Sequence, residues 1–301
     1  MITQKFRTVV LGNFDGLHRG HQQLIALGRR IADEHGEELA VFTFHPQMQQ
    51  IFDSSFCYLL TEEQKLQRFQ QLGVDMVKTV PFEPQISNLS PEKFVQCILV
   101  DELQARHVVV GFNYSFGYKG AGNPQLLQQL GAVYGITVTI MEPCYAQGEL
   151  VSSTAIRNYL RAGNVERANA LLGYAYSMEG PVLLGNQIGR TIGFPTANIA
   201  PAKRLLLPAN GVYATRTYVD SKAYLSILNI GLRPTIAHSV GINMEVHLFD
   251  FAEDIYGKVI RTEFYYFLRQ EVKFDSLDAL KAQLKKDKAR TRQLFAAADA
   301  E

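Results

Sequence analysis

The chain is poor in cysteine and has no long apolar segment. Its three cysteines, Cys57, Cys97 and Cys144, lie far apart and form no C-x-x-C pair, which excludes a disulfide framework and a zinc site built from such pairs. No apolar run approaches the ~20 residues that span a bilayer. The first residues also lack the charged and apolar regions of a signal peptide. We therefore expect a soluble, cytoplasmic protein without a membrane partner.

The chain also lacks an excess of charge and the common nucleotide-binding glycine motifs. Its formal net charge is +1, so bulk electrostatics give no reason to expect a nucleic-acid partner. Neither the dinucleotide fingerprint G-x-G-x-x-G nor the P-loop G-x-x-x-x-G-K-[ST] occurs. The apolar fraction of 47% is typical of globular proteins. A chain of 301 residues is long enough for two domains with separate cores.

The first half of the chain alternates short apolar runs with amphipathic segments. Strands are predicted at Thr8–Leu11, Leu39–Phe44, Met76–Val80, His107–Val110 and Ile136–Ile140, and helices at His21–Glu34, Glu62–Leu72, Pro91–Asp101 and Pro124–Tyr134. Apolar, β-branched strands that are each followed by a helix predict a parallel sheet covered on both faces, as in a Rossmann-like α/β domain. Ligands of such sheets bind beyond the carboxyl ends of the strands.

The second half has a different pattern. A polar, helix-forming bridge at Ser152–Gly173 is followed by short strands separated by glycine, proline and asparagine. These strands are predicted at Ser177–Leu184, Val212–Tyr218, Tyr224–Ile230, Met244–Phe249 and Val259–Leu268, with a helix at Ser276–Phe295. A run of strands closed by one helix predicts a small antiparallel β-barrel with a C-terminal helix. We expect two domains, residues 1–175 and 176–301.

The segment that follows the first predicted strand, residues 12–21, reads GNFDGLHRGH. Its glycines let the backbone approach a phosphate, and the helix start offers unpaired N–H groups and a positive dipole end. His18 and His21 share one face of the first turn. Two imidazoles there can donate hydrogen bonds to a triphosphate as charge builds on it. The alternative is a tight turn with incidental histidines, although the whole pattern is far more specific than a histidine pair.

Residues 12–21 resemble the nucleotidyltransferase signature of the prokaryotic bifunctional riboflavin kinase/FAD synthetases. Residues 108–117, VVVGFNYSFG, and 152–157, SSTAIR, resemble two further motifs of this family. The resemblance implies that His18 and His21 are catalytic in the adenylylation of FMN to FAD with release of pyrophosphate. It also implies flavin-binding residues Asn113, Tyr114 and Phe116, and ATP-binding residues Gly12, Asn13, Phe14, Asp15, Gly20, Ser153, Thr154 and Arg157.

Hydroxyls at a helix start with an arginine one turn later form a reasonable clamp for an oxyanion. That geometry is what the hydroxyls of Ser153 and Thr154 and the guanidinium of Arg157 offer. Taken alone, however, the same segment is better explained as a helix cap followed by a surface arginine.

Residues 185–198, GNQIGRTIGFPTAN, resemble the riboflavin kinase motif of the same family, as do segments 207–213, 229–235, 245–250 and 254–257. The resemblance implies that Thr196 and Asn198 are ligands of Mg²⁺–ATP, and Mg²⁺ does prefer a few hard oxygen donors. It also makes Glu245 the general base that accepts a proton from riboflavin. Without the resemblance, a glycine-rich hairpin with a Pro-Thr turn explains the first segment equally well, and a lone strand glutamate such as Glu245 is usually just solvated.

The resemblance implies an enzyme that uses Mg²⁺ and ATP, with riboflavin and FMN as substrates and FAD as product rather than prosthetic group. Leu184, Gln187 and Ile188 depart from the kinase motif, where a histidine and basic residues are usual. An adenylyltransferase with a non-catalytic, flavin-binding or scaffolding barrel is therefore the alternative. A regulatory flavin- or nucleotide-binding protein is a third hypothesis, but mere binding would not require His18, His21 and Glu245. The partners expected are small molecules, and the sequence gives no oligomeric state.

Overall fold

In the computed structural model the chain forms two compact units, Met1–Ser153 and Thr154–Glu301. The structure describes residues 5–45, 53, 55–81, 83–184, 193–234 and 240–298. By its contacts, the helical bridge after Ser153 belongs with the second unit, and the division into domains after residue 175 stays a prediction. In the described part of the chain, every helix is too short or too polar to cross a membrane.

The first unit is built on a five-stranded parallel sheet. Its strands are β1 (Arg7–Leu11), β2 (Glu38–Phe44), β3 (Met76–Val80), β4 (Ala105–Gly111) and β5 (Thr137–Met141). They are arranged in the order β3-β2-β1-β4-β5, and every neighbouring pair is parallel. Successive residues such as Val9 and Val10 are both fully buried, because both faces of the sheet are covered. The predicted α/β fold is confirmed.

The helices of the first unit follow the strands. They are α1 (Arg19–His35), α2 (Glu62–Gln71), α3 (Pro84–Ser87), α4 (Pro91–Lys93) and α5 (Pro124–Val133). The α4 helix continues as a π-helical segment, Phe94–Glu102, where one regular helix was predicted. The predicted cap is correct, since Ser90 Oγ accepts a hydrogen bond from the Lys93 N–H over 3.3 Å. A small hairpin of β6 (Tyr145–Ala146) and β7 (Glu149–Leu150) follows the sheet.

The second unit is a closed antiparallel barrel. After α6 (Ser153–Arg161) and α7 (Val165–Leu172) come β8 (Ser177–Leu183), β9 (Ala197–Ile199), β10 (Gly211–Val219), β11 (Lys222–Pro234), β12 (Val240–Leu248), β13 (Val259–Arg269) and α8 (Leu277–Ala298). The ring order is β10-β11-β12-β9-β8-β13. The predicted barrel with a C-terminal helix is confirmed, but β9 was not predicted. This short strand closes the ring, because it pairs with both β12 and β8.

The C-terminal helix is fixed to the barrel by a largely buried ion pair. The guanidinium of Arg269, at the end of β13, donates to the Asp287 carboxylate through Nε and Nη2 over 3.0 and 2.8 Å. Farther along α8, Lys288 and Arg292 lie over the Phe249 ring at 4.9 and 5.9 Å. This cover explains why Phe249 is buried although it alternates with core residues along the chain.

Candidate active sites

The first predicted site lies at the carboxyl ends of the neighbouring strands β1 and β4. The chain fills the sheet to one side of β1 with β2 and β3 and then crosses to the other side with β4. The loop after β1 carries residues 12–18, and the loop after β4 carries residues 112–117. Ligands of open α/β sheets bind at this switch point. The fold therefore brings together the two segments that the sequence analysis singled out.

The loop after β1 has an unusual backbone. Phe14, Gly16 and Leu17 have φ values of 53°, 78° and 36°, although only glycine adopts positive φ without strain. Both Phe14 and Leu17 are fully buried, so their side chains anchor the strained loop in the core. Strain that is held by surrounding packing is typical of binding loops.

Hydrogen bonds hold the same loop from three sides. The carboxylate of Asp15 accepts from the Leu59 N–H over 3.0 Å, and its carbonyl accepts from Ser153 Oγ over 2.9 Å. The Asn13 carbonyl accepts from Thr43 Oγ1 over 3.2 Å. Asp15 and Ser153, both predicted to bind ATP, thus also shape the loop that would receive it.

Two of the predicted glycines are explained by close packing. A Cβ on Gly12 would lie 3.0 Å from the Phe14 ring, and a Cβ on Gly20 would lie 3.3 Å from the His18 ring and 3.5 Å from Cys144 Cβ. Larger residues would push these rings aside. Gly20 therefore matters for the placement of His18.

His18 and His21 open α1 as a stacked pair. His18 is the N-cap residue, and its Nδ1 accepts a hydrogen bond from the His21 N–H over 3.3 Å. The two rings are nearly parallel, with centroids 3.7 Å apart. Phe14 contacts the His21 ring at a centroid distance of 5.2 Å. The structure thus brings the two histidines together, as predicted. The pair does not face open solvent, since His18 is only 7% exposed.

The contacts of the pair determine its protonation. Because His18 Nδ1 accepts a backbone N–H, the neutral ring carries its proton on Nε2, which is then a donor. Burial, with a smaller contribution from His18, holds the pKa of His21 well below its usual value. His21 Nδ1 is buried without a hydrogen-bond partner in the described part of the chain. An anionic ligand beside these rings would favour protonation and offset that desolvation.

The loop after β4 holds the predicted flavin-binding residues. Asn113 is exposed and Tyr114 half-buried. The Tyr114 ring is parallel to that of Phe116 at 6.1 Å, and burial raises the pKa of the Tyr114 hydroxyl. Phe116 itself is buried against Phe94. Asn113 is therefore accessible to a ligand, whereas Phe116 supports the loop from the core.

The predicted phosphate clamp is divided between the two units. Ser153 ends the first unit, and Thr154 and Arg157 follow in α6 as part of the second. Thr154 is exposed, whereas Arg157 is buried. The hydrogen bond from Ser153 to the Asp15 carbonyl places the first residue beside the loop after β1. The roles of the other two stay predictions.

The second predicted site is a row of polar side chains across three strands of the barrel. In the ladder registers, Asn198 of β9 stands opposite Glu245 of β12, which in turn stands opposite Asn229 of β11. Residues directly opposite each other project from the same face of a sheet. The structure therefore brings the predicted Mg²⁺ ligand Asn198 beside the predicted base Glu245.

The row combines one fixed carboxylate with two oxygen atoms that lack partners. Nδ2 of Asn243 donates to Glu245 Oε1 over 2.8 Å, which fixes the carboxylate along its strand. The Oδ1 atoms of Asn198 and Asn229 are both buried and accept no hydrogen bond from the described residues. Buried carbonyl oxygens are rarely left unpaired. These oxygen atoms can accept hydrogen bonds from the hydroxyl groups of a ligand, or they can coordinate a cation.

Thr196 lines a cavity of about 250 Å³ together with residues 251–256. The turn that carries it is held by His247, whose Nδ1 lies 2.8 Å from the Pro195 carbonyl oxygen. Because a carbonyl oxygen only accepts, His247 Nδ1 donates this hydrogen bond, and burial lowers the pKa of the ring. Thr196 therefore lines this cavity just before β9 begins, and Asn198, two residues later in β9, stands opposite Glu245.

Part of the kinase motif falls outside the described residues. Gln187 and Ile188, which depart from the family pattern, belong to the segment 185–192 that the structure does not describe. Leu184 is 76% exposed. Within the part of the chain that is described, no three His, Cys, Asp or Glu side chains are grouped as a metal site.

Two charged residues near the sites were missed by the sequence analysis. Lys65 of α2 is buried, and burial lowers its pKa although Glu62 and Asp15 favour the charged form. Glu271 follows β13 and accepts a hydrogen bond from Asn229 Nδ2 over 3.1 Å. Neither stands in a pattern that distinguishes it from ordinary surface charges, so only the tertiary structure identifies them.

Comparison with known proteins matches a flavin-enzyme family to each half of the chain. The FAD synthetase family model matches residues 2–155, and the riboflavin kinase model matches residues 172–295. The bifunctional riboflavin kinase/FMN adenylyltransferase of Listeria monocytogenes is 40% identical over 96% of this chain and 93% of its own. The enzyme of the same name from Escherichia coli K12 is 36% identical over 95% and 92%.

A solved structure described as a macrolide-efflux protein from Streptococcus pneumoniae has a TM-score of 0.87 and 31% identity, covering 96% of this chain and 95% of that one. Its description names a transport protein, whereas both family models and the curated relatives name flavin enzymes. Because a kinase model matches the barrel, the alternative of a non-catalytic barrel is not favoured. The chain belongs to the bifunctional riboflavin kinase/FMN adenylyltransferases, a family of transferases, and carries a domain for each activity.

Proposed function

We propose that the loop and histidine pair at residues 12–21 transfer the adenylyl group of ATP to FMN, and that the row around Glu245 transfers the γ-phosphoryl group of ATP to riboflavin. The observation that carries the proposal is the pairing of a stacked histidine dyad at a sheet switch point with a hydrogen-bonded carboxylate beside unpaired oxygens in the barrel. Each unit thus has a site suited to one of the two reactions.

In the adenylyl transfer, a phosphate oxygen of FMN attacks the α-phosphorus of ATP and pyrophosphate leaves. No protein nucleophile is needed, so the residues act by orientation and by stabilising charge. Negative charge builds on the departing pyrophosphate, and the imidazole N–H groups of His18 and His21 donate hydrogen bonds to it. Asn113, exposed on the neighbouring loop, is the residue best placed to hold the flavin.

In the kinase reaction, the oxygen of the terminal ribityl hydroxyl attacks the γ-phosphorus of ATP, and ADP leaves. Glu245 accepts the proton of that hydroxyl. Asn243 keeps the carboxylate oriented. The side-chain oxygens of Thr196 and Asn198 would hold Mg²⁺, which neutralises phosphate charge when it is bound. The buried Oδ1 of Asn198, which accepts no hydrogen bond from the described residues, supports this assignment.

The test is the separation of the two activities by single substitutions. His21→Ala should lower the rate of FAD formation from FMN roughly 10²–10³-fold, because it removes one donor to the developing charge. FMN formation from riboflavin should stay within twofold of wild type. Glu245→Ala should do the reverse. His35→Ala, at the other end of the same helix, is the matched control and should leave both rates unchanged.

Both reactions are followed by chromatography of the flavins at saturating ATP. Equal loss of the two activities in either variant would contradict the assignment of separate sites. Retention of full FAD formation by His21→Ala would refute the role of the dyad.

We also propose the finer points that the family leaves open. The domains divide after residue 175, which is supported by the start of the riboflavin kinase match at residue 172. The enzyme works in the cytoplasm and on small molecules rather than nucleic acid, in keeping with its three free cysteines and its net charge of +1.

A further inference from the structure

A second carboxylate lies beside the row that contains Glu245. Glu271 follows the end of β13, and its Oε1 accepts a hydrogen bond from Asn229 Nδ2 over 3.1 Å. Asn229 stands directly opposite Glu245 in the register of β11 and β12. The side chains of opposite residues lie on the same face, with their Cβ atoms about 5 Å apart. The Asn229 amide therefore connects Glu271 with the proposed catalytic carboxylate.

The carboxylate of Glu271 occupies the space above Gly231. A Cβ on Gly231 would collide with both Glu271 oxygens. Gly231 lies two residues after Asn229 and so on the same face of β11. Glu271 thus needs a glycine at one position and a hydrogen-bond donor at the other. This requirement accounts for two residues of segment 229–235, which the sequence analysis singled out without a role.

The orientation of the Asn229 amide follows from this contact. Because Glu271 accepts from the NH₂ group, the carbonyl oxygen is fixed on the other branch of the amide. That Oδ1 is buried and receives no hydrogen bond from the described residues. A buried acceptor held in one orientation beside the proposed base can accept a hydrogen bond from a ligand. Riboflavin supplies such donors through the hydroxyl groups of its ribityl chain.

We propose that Glu271 and Asn229 position the polyol chain of riboflavin in the kinase site. Asn229 Oδ1 accepts a hydrogen bond from a ribityl hydroxyl next to the one whose proton Glu245 accepts. Glu271 does not touch the substrate but fixes the amide, and is therefore a positioning residue. This inference rests on the proposed role of Glu245 and deepens it by assigning the contact that holds the substrate chain.

The test compares three changes at this pair. Glu271→Ala removes the acceptor, and Gly231→Ala displaces the Glu271 side chain while leaving its chemistry intact. Both should raise the KM for riboflavin about tenfold, as expected for one hydrogen bond lost to a neutral group. The KM for ATP and kcat should stay within about twofold. Glu271→Gln keeps a carbonyl acceptor and should restore most of the wild-type KM.

Lumiflavin separates a contact with the chain from a contact with the ring, because it has the ring system of riboflavin without the ribityl chain. As a competitive inhibitor of the kinase, it should have the same Ki in Glu271→Ala as in the wild type. Lys273→Ala, in the same exposed segment, is the matched control and should leave all constants unchanged. The melting temperature of the second unit and the FAD synthetase rate of each variant report on folding.

An unchanged KM for riboflavin in both Glu271→Ala and Gly231→Ala would overturn the proposal. So would a Ki for lumiflavin that rises as much as the KM, or a rise in the Mg²⁺ requirement alone, which would assign the amide to the metal shell. If Glu271→Ala does not fold, Gly231→Ala and Glu271→Gln still decide the question. The role of Glu245 is tested separately, since Glu245→Gln should lower kcat rather than raise the KM for riboflavin.

Discussion

Substitution by alanine should have different effects at two glycines of α1, lowering activity at one and stability at the other. Gly20 and Gly28 are both buried in this helix. A Cβ on Gly20 would meet the His18 ring at 3.3 Å, whereas a Cβ on Gly28 would meet Val10 Cγ2 at 2.5 Å and Leu39 Cδ1 at 3.0 Å. The first neighbour belongs to the proposed adenylyl site, and the other two are core residues of the sheet.

The distances set the expected magnitudes. In Gly20→Ala the His18 ring must move by a few tenths of an ångström, which disturbs its stack on His21. Since a 1 Å misplacement costs about 10²-fold in rate, we expect the rate of FAD formation to fall about tenfold. In Gly28→Ala overpacking costs about 1–3 kcal/mol, and the better helix propensity of alanine offsets about 1 kcal/mol of it. The net loss of about 1 kcal/mol lowers the melting temperature of a unit of this size by roughly 2–4 °C.

The assay pairs FAD synthetase kinetics at 25 °C with scanning calorimetry of both variants. Gly20→Ala should have reduced kcat and a melting temperature close to that of the wild type. Gly28→Ala should have nearly normal kcat and a lower melting temperature. The reasoning is refuted if Gly20→Ala retains full activity, or if the two variants lose activity and stability in the same proportion.

Two further predictions concern stability. Asp287→Asn should destabilise the second unit by about 3 kcal/mol, because the largely buried guanidinium of Arg269 loses its negatively charged partner. Calorimetry should show this loss while the unfolding transition of the first unit stays unchanged. Because the pKa of His21 is low in the folded protein, the unfolded chain binds a proton at His21 as the pH falls below 6.5, whereas the folded chain does not. The unfolding free energy of the first unit should therefore fall from about pH 6.5 towards that lower pKa, and His21→Gln should lack this part of the pH dependence in thermal melts from pH 8 to 5.

Local sequence patterns were enough to predict most of the fold. The five apolar runs became the five parallel strands, because a strand buried on both faces requires nearly continuous apolar residues. Helix starts were also correct where a cap residue was present, as at Ser90. The π-helical segment Phe94–Glu102 was not predicted, because its wider turn depends on packing against the sheet and leaves no distinct periodicity.

The candidate sites were predicted less completely. His18, His21 and Glu245 could be proposed as site residues because they stand in dense motifs. The strained backbone at Phe14 and Leu17 was not foreseen, since neither residue type favours positive φ. Glu271 was missed for a different reason: it lies 42 residues from Asn229 in the chain, and no local pattern encodes so distant a pairing.

The barrel is completed by its shortest strand. In β9, Ala197 and Asn198 pair with β12, and Asn198 and Ile199 pair with β8, so few backbone hydrogen bonds join the two ends of the sheet into a ring. Asn198 takes part in both pairings and is also a residue that we assign to nucleotide binding. Loss of order at this strand would at once expose two sheet edges and dismantle the proposed ATP site, so an opened barrel and an inactive kinase would be the same molecular state.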